Sequence, residues 1–298
     1  MMKKTLDQKT VRFVFLFCMI ASFGCSNVFT HKKNIAVLTE EARNWDNLTT
    51  RAESGDAEAL CEIAEAYRFG EGVAKDYGKA MLWLQKGAAE GKACAIFQLG
   101  AMYCYGEGVP ADANKALELC EKAAAQGGAK YAYLIGGIYY FGECLPQDLN
   151  KAFTWIKIAA ENGNANAQFL LGGMYQAGEG THQDFKKASV WFEKSADQGN
   201  ANAQNCLGLM YHKGNGMIRD YNKAFEWYAK AALQNNANAQ YALGCMFFAG
   251  EGVPSDVGKA KEWWQKAAAQ GYENAQKKLE QLKELEKPNK GKAPIKGV

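Results

Sequence analysis

Prolines, histidines and long apolar runs are all scarce in this 298-residue sequence. It contains five prolines and three histidines, and so few prolines exclude collagen and proline-rich linker architecture. The longest apolar stretch is too short to cross a bilayer comfortably, which excludes a polytopic membrane protein. The net charge of +3 gives no indication of nucleic-acid binding. With 48% apolar and 22% charged residues, the chain has the composition of a folding protein.

Motifs for catalysis and metal binding are also missing. The sequence has no H-E-x-x-H, G-x-S-x-G, P-loop or C-x-x-C segment. His31 and His182 fall in segments expected to be a spacer and a turn, and His212 is the third histidine. So few histidines do not predict a shared metal site. We therefore expect no catalytic residue, no cofactor and no metal.

Residues 1–24 have the pattern of a bacterial export signal. The first twelve residues carry four basic side chains, residues 13–23 are mostly apolar, and Gly24 precedes Cys25. This segment resembles a lipoprotein signal that is cut before Cys25, which would then be lipidated, and Ser26 resembles outer-membrane sorting. The expected location is the outer membrane, facing the periplasm or the surface. A plain secretion signal and an uncleaved anchor are the alternatives, the former giving a periplasmic or secreted protein.

A 36-residue repeat organises residues 55–270 into six copies. The period is set by glycines that recur at multiples of 36 residues, at Gly55, Gly91, Gly127, Gly163, Gly199 and Gly271. A position within the repeat is called a slot here and is numbered from the first residue of its copy. Three further slots recur with the same period: a glycine (Gly100, Gly136, Gly172, Gly208, Gly244), an aspartate (Asp76, Asp112, Asp148, Asp184, Asp220, Asp256) and a tryptophan (Trp83, Trp155, Trp191, Trp227, Trp263).

Each copy predicts two helices joined by a tight turn. In the second copy the first helix runs from Ala93 to just past Tyr103, because its apolar residues are spaced by three and four. A Gly-Glu-Gly turn follows, and Asp112 is a suitable N-cap for the second helix. The glycine inside the first helix, Gly100 here, predicts close packing against the second helix, and the recurring Trp is expected to fill the space between copies.

The motif A-x-A-x-x-x-L-G-x-x-Y-x-x-G-x-G-V-x-x-D-x-x-K-A-x-x-W-x-x-K-A-A resembles the Sel-1-like repeat family, a relative of tetratricopeptide repeats. The resemblance covers residues 55–282 and departs from the motif only locally, for example at Cys144, which replaces the second turn glycine. It implies an all-α, right-handed superhelical solenoid of six helix-turn-helix repeats. Because such a stack exposes its core at the ends, we expect polar-faced caps. The expected flanking segments are a spacer (25–38), an N-terminal capping helix (39–54), a C-terminal capping helix (271–286) and a basic tail (287–298).

Seven cysteines remain after Cys18 and Cys25 are set aside, and they fall in seven different slots of the repeat. An odd number leaves at least one unpaired in a monomer. They are Cys61, Cys94, Cys104, Cys120, Cys144, Cys206 and Cys245. Burial as small hydrophobic side chains and formation of one or two disulfides, for instance within the second copy, both remain open.

Slots four, seven, eleven and fourteen of the first helices share one face by their spacing. In the family this face resembles the concave lining, so it is the candidate groove for an extended peptide or a helix. The candidate groove residues are Phe97, Lys130, Tyr133, Tyr140, Asn166, Phe169, Gln176, Asn202, Asn205, His212, Asn238, Tyr241 and Phe248. The alternative is that the rings pack between copies and are already buried.

We therefore predict a non-catalytic scaffold of the cell envelope that binds a protein or peptide partner. The expected protein is a monomer, its partner could belong to a cell-wall associated complex, and it contacts a membrane only through the lipid. One alternative is a hydrolase of the β-lactamase type reported for some family relatives, although S-x-x-K and H-x-H are absent. The other is a secreted effector that meets host proteins.

Overall fold

The computed structural model describes residues 45–286, and within that range all regular structure is helical. The fourteen helices described are α1 (residues 45–53), α2 (Ala57–Phe69), α3 (Tyr77–Ala89), α4 (Ala93–Tyr105), α5 (Ala113–Gly127), α6 (Ala129–Phe141), α7 (Leu149–Glu161), α8 (Ala165–Ala177), α9 (Phe185–Asp197), α10 (Ala201–Lys213), α11 (Tyr221–Leu233), α12 (Ala237–Ala249), α13 (Val257–Ala269) and α14 (Glu273–Glu286). Helices α2–α13 form the six repeats, so the predicted all-α repeat fold is confirmed and is consistent with a solenoid. The predicted export signal, the lipidation site Cys25, the spacer, residues 39–44 and the basic tail lie outside the described residues.

The chain divides into two compact units between Asn164 and Ala165. The first unit contains repeats one to three (α2–α7), and the second contains repeats four to six (α8–α13) followed by α14. Within each unit the two helices of a repeat pack on each other, and the second helix also packs on the first helix of the next repeat. At the end of the second unit Leu282 of α14 is buried in a cluster with residues of α13.

The turns and caps follow the chemistry that the sequence indicates. The six recurring aspartates each accept a hydrogen bond from the backbone N–H three residues later, as Asp184 Oδ1 does from Lys187 at 2.9 Å. This bond is the main reason why the pKa of Asp184 lies below its usual value. The turn glycines adopt positive φ, and Cys144 takes the same left-handed conformation with a φ of 64°.

In repeats two to six the recurring glycine of the first helix accommodates a side chain of its partner helix. A Cβ at Gly172 would lie 2.7 Å from the ring of Phe192, and Gly136 faces Ile156 in the same way. The predicted close packing is therefore confirmed. The side chain involved is not the recurring Trp, which is half-buried in every repeat that has it, but the residue that follows it in the sequence. The residues at this position, which in repeat two follows Leu119 instead of a Trp, are buried and differ widely in size: Leu84, Cys120, Ile156, Phe192, Tyr228 and Trp264.

Two adjacent glycines in α8 allow the loss of stability caused by an added methyl group at this contact to be measured. Gly173 has no atom within 4 Å of its Cβ position, whereas the Cβ of an alanine at Gly172 would displace Phe192. Both alanine variants gain the same helix propensity, about 1 kcal/mol. Gly173→Ala is therefore expected to be stabilised, and Gly172→Ala to be about 1–3 kcal/mol less stable than Gly173→Ala because of overpacking. Urea denaturation followed by circular dichroism measures this difference, and equal stability of the two variants would contradict the contact.

Candidate functional site

The thirteen candidate groove residues are distributed between the two units. Phe97, Lys130, Tyr133 and Tyr140 belong to the first unit, and the other nine belong to the second. The side chains of Lys130, Asn166, Asn202, Asn238 and Phe248 are exposed, and that of Phe97 is buried. The remaining seven are half-buried: Tyr133, Tyr140, Phe169, Gln176, Asn205, His212 and Tyr241. The candidate face thus combines side chains that solvent reaches with rings that are already packed.

Several of the candidate rings contact other rings of the same unit. The ring centroids of Phe97 and Tyr131 are 5.4 Å apart, and those of Phe169 and Phe192 are 5.8 Å apart. Such pairs add to the packing of neighbouring helices. Phe248 also lies beside Trp264, but 42% of its surface remains exposed. Phe248 is therefore the candidate aromatic residue with the most surface left for a partner.

The predicted row of asparagines makes hydrogen bonds within the second unit. Asn166 Oδ1 accepts a bond from Asn200 Nδ2 at 3.2 Å, and Asn202 Oδ1 accepts one from Asn236 Nδ2 at 3.0 Å. Asn200 and Asn236 are also the N-caps of the next first helices, α10 and α12. The row therefore links the first helix of one repeat to the first helix of the next, while the asparagine side chains of the row remain exposed.

His212 also connects two repeats of the second unit. Its Nε2 lies 2.8 Å from Glu251 Oε2 in the turn after α12, and its ring lies beside that of Tyr221. Both His212 and Glu251 keep about a third of their side-chain surface. This pair holds the end of α10 to the turn after α12.

The first unit contains a cavity of about 410 Å³ along slots of the candidate face. Glu65 and Arg68 of α2 line it at slots eleven and fourteen, and Phe97, Ala101 and Cys104 of α4 line it at slots seven, eleven and fourteen. Its volume lies in the range of small-molecule and side-chain binding sites. Residues that the spacing assigns to the candidate face therefore line a concave surface in the first unit.

One end of the cavity is lined by polar side chains that are bonded to one another. Arg68 is 7% exposed, and its Nη2 lies 2.6 Å from Glu107 Oε2 in the turn of the second repeat. Gln98 Nε2 donates to Glu65 Oε1 at 2.7 Å. Burial raises the pKa of Glu65 to about 7, although the charge of Arg68 opposes this shift. Sequence reasoning placed Glu65 and Arg68 on the face without singling them out, and it missed Gln98, which lies one position beyond slot seven.

The cysteines of the first unit have two different roles. Cys61 and Cys94 form a disulfide between α2 and α4, so a disulfide is present, but it joins repeats one and two rather than two cysteines of the second copy. Cys104, Cys120 and Cys144 are free thiols that line the cavity. Burial raises the pKa of all three, that of Cys120 to about 12. They are therefore protonated at neutral pH and are poor nucleophiles.

Two further properties of residues 45–286 bear on the site. No helix in this part of the chain is both long and apolar enough to pass through a bilayer. The same residues bring together no group of three or more histidine, cysteine, aspartate or glutamate side chains that could hold a metal ion.

These features, a run of paired helices with a variable face, define a helical-repeat protein of the kind that commonly serves as a protein-interaction scaffold. The model of the Sel1 repeat matches six times, at residues 57–92, 95–128, 129–164, 165–200, 201–236 and 237–272. The chain therefore belongs to the Sel1 repeat family. No curated protein matches the sequence.

Two solved structures illustrate the similarity. A protective antigen of uropathogenic Escherichia coli that displays an SLR fold is 34% identical with a TM-score of 0.69; the match covers 79% of this chain and 50% of the antigen. A Sel1 repeat protein from Oxalobacter formigenes is 30% identical with a TM-score of 0.62; here the match covers 78% of this chain and 99% of the other. This chain thus spans about half the length of the antigen and nearly all of the Oxalobacter protein.

Proposed function

We propose that this protein is a non-catalytic scaffold that binds a peptide or protein partner through the variable face of its first helices. The observation that carries the proposal is the cavity of the first unit, because five of its lining residues occupy the slots of that face. A hydrophobic cavity with a few buried polar groups at one end is typical of a site that receives an anchoring side chain. The second unit adds the exposed ring of Phe248 on the same slots.

The mutation that tests this proposal changes Phe248 and uses a matched control. Phe248→Glu places a charge on the candidate face, and Leu233→Glu places one at the end of α11, where the leucine is 78% exposed. Tagged protein of each variant, confirmed as folded by circular dichroism, is used to capture partners from an envelope extract of the cells that make it. We expect Phe248→Glu to lose at least nine-tenths of the captured partner and Leu233→Glu to retain it. Ala101→Glu places the same charge in the cavity of the first unit and tests that site directly. A partner that Phe248→Glu, Ala101→Glu and Leu233→Glu all retain, or no partner at all, contradicts the proposal.

We also propose that the chain is exported and anchored by lipid on Cys25, on the evidence of residues 1–24. The disulfide supports this location, because disulfides persist in oxidising compartments. The mass of the mature N-terminal peptide tests the proposal: it must begin at Cys25 and carry acyl groups. An unmodified or uncleaved N-terminus would be evidence against it.

A further inference from the structure

One residue that lines the cavity of the first unit occupies a position at which the repeats differ. In repeats three to six the side chain facing the first-helix glycine is Ile156, Phe192, Tyr228 or Trp264. In the second repeat that position is Cys120, which faces Gly100 and lines the cavity. A thiol occupies much less volume than these side chains. Repeat two therefore differs from repeats three to six at a position that lines the cavity.

One buried polar atom at the cavity has no partner. Gln98 is 2% exposed and lines the cavity, and its Oε1 has no hydrogen bond in the structure. Leaving such an acceptor unpaired costs about 1–3 kcal/mol. In the second unit the buried Gln204 is fully paired, since its Nε2 donates to the carbonyl of Ala196 and its Oε1 accepts from Gln234. The unpaired acceptor of Gln98 therefore calls for a donor from outside the chain.

The charges around the cavity indicate the kind of donor. Three carboxylates line it, those of Glu65, Glu71 and Glu107, against the single guanidinium of Arg68. Arg68 is already bound to Glu107. The other walls are mostly apolar, with Phe97 and four leucine or isoleucine side chains of repeats two and three. An apolar body that ends in a positively charged donor complements this distribution.

We infer that this cavity binds the ammonium group of an apolar amine, with the amine donating to Gln98 Oε1 and lying beside the carboxylate of Glu65. This inference rests on the proposed function, because the cavity is one subsite of the proposed partner-binding face. It names the chemical class of ligand that this subsite takes. The amine could be a free molecule or a lysine side chain next to an apolar residue of a peptide. Both have an ammonium group on an apolar body, and the experiment separates them.

Calorimetric titration of the whole protein with tryptamine and tryptophol tests the inference. The two probes have the same indole body, but only tryptamine ends in an ammonium group. We expect tryptamine to bind at least tenfold more tightly than tryptophol. The peptide acetyl-Trp-Lys-amide is the third probe: tighter binding than tryptamine identifies a peptide ligand, and weaker binding identifies a free amine. Equal affinity for tryptamine and tryptophol, or no binding of any probe, overturns the inference.

Three variants locate the binding site. Glu65→Gln keeps the shape of the side chain and is expected to weaken tryptamine binding about tenfold, whereas Glu58→Gln, exposed on the same helix and outside the cavity lining, is the control. Cys120→Phe places at this position the side chain that Phe192 supplies in repeat four, and it is expected to abolish binding of all probes. If folded Cys120→Phe protein binds tryptamine as the parent does, the inference is wrong. Partner capture that persists without tryptamine binding would refute this subsite and leave the proposed function standing.

The affinity for tryptamine should also depend on pH. The charges that act on Glu65 are those of Arg68 and Lys130, which lower its pKa, and of Glu71 and Glu62, which raise it; burial dominates and the pKa is about 7. Below that pH the carboxyl is neutral and no longer attracts the ammonium group. If the neutral form binds about tenfold more weakly, as expected for Glu65→Gln, the affinity should fall about sevenfold from pH 8 to pH 5.5 as Glu65 takes up its proton. A flat pH profile for tryptamine would overturn the role of Glu65.

Discussion

The Trp264→Ala variant is expected to lose about 3–5 kcal/mol of unfolding free energy. Trp264 is 1% exposed and is the largest of the fully buried side chains among the described residues. Its ring fills the space over Gly244, and its Nε1 donates to the carbonyl oxygen of Tyr241 at 3.2 Å. Truncation would therefore leave both a cavity and an unpaired carbonyl.

The neighbouring Trp263 provides the matched control for this prediction. It is half-buried, and Lys266 Nζ lies 4.1 Å from the centre of its ring. We expect Trp263→Ala to cost about 1–2 kcal/mol, because less apolar surface is lost from the interior. Urea denaturation measures both losses, and equal losses, or a larger one for Trp263→Ala, would show that the packing is misassigned.

The location of the loss can be tested as well. In repeat proteins each repeat is stabilised by itself and by its neighbours, so damage to an end repeat can unfold that end first. Trp264 belongs to repeat six, and its cluster includes Ala275 and Leu282 of α14. Hydrogen exchange in Trp264→Ala is therefore expected to increase first in α12–α14.

The helical repeats could be predicted from the sequence because each repeat contains its own capping and turn residues. The aspartate caps, the turn glycines and the glycine within the first helix recur six or nearly six times. The helices of a copy that departs from the pattern can therefore be assigned from the other copies. The variable positions carry no such redundancy. The residue after the Trp position is a different amino acid in each of the six repeats, and its burial follows from the direction in which the second helix presents it.

The candidate site was predictable only in part for the same reason. The spacing placed Phe97 and Tyr241 on one face, but it could not show that rings on that face also pack against a ring of α6 and a ring of the turn before α14. Glu65 and Gln98 are joined by a hydrogen bond between residues 33 positions apart. Spacing within a single helix contains no information about such a contact between repeats.

Loss of the Cys61–Cys94 disulfide is expected to lower the unfolding free energy by about 4 kcal/mol. The bond links residues 33 positions apart, and closing a loop of that length removes about this much chain entropy from the unfolded state. The cross-link ties α2 to α4, whose cavity-lining residues include Glu65 and Gln98. Its removal should therefore weaken the first unit in particular.

Reduction provides a test in which the protein atoms other than the two sulfurs are unchanged. Dithiothreitol should shift the urea midpoint of the parent protein and leave that of Cys61→Ala/Cys94→Ala unchanged, with Cys206→Ala, which removes a free thiol, responding as the parent does. A chain that begins at residue 26 should show five titratable thiols when unfolded without reductant. Seven thiols would mean that the bond does not form. Since a cross-link of this kind persists only outside a reducing cytosol, five thiols in protein taken from its own cells would also favour the proposed export of the chain.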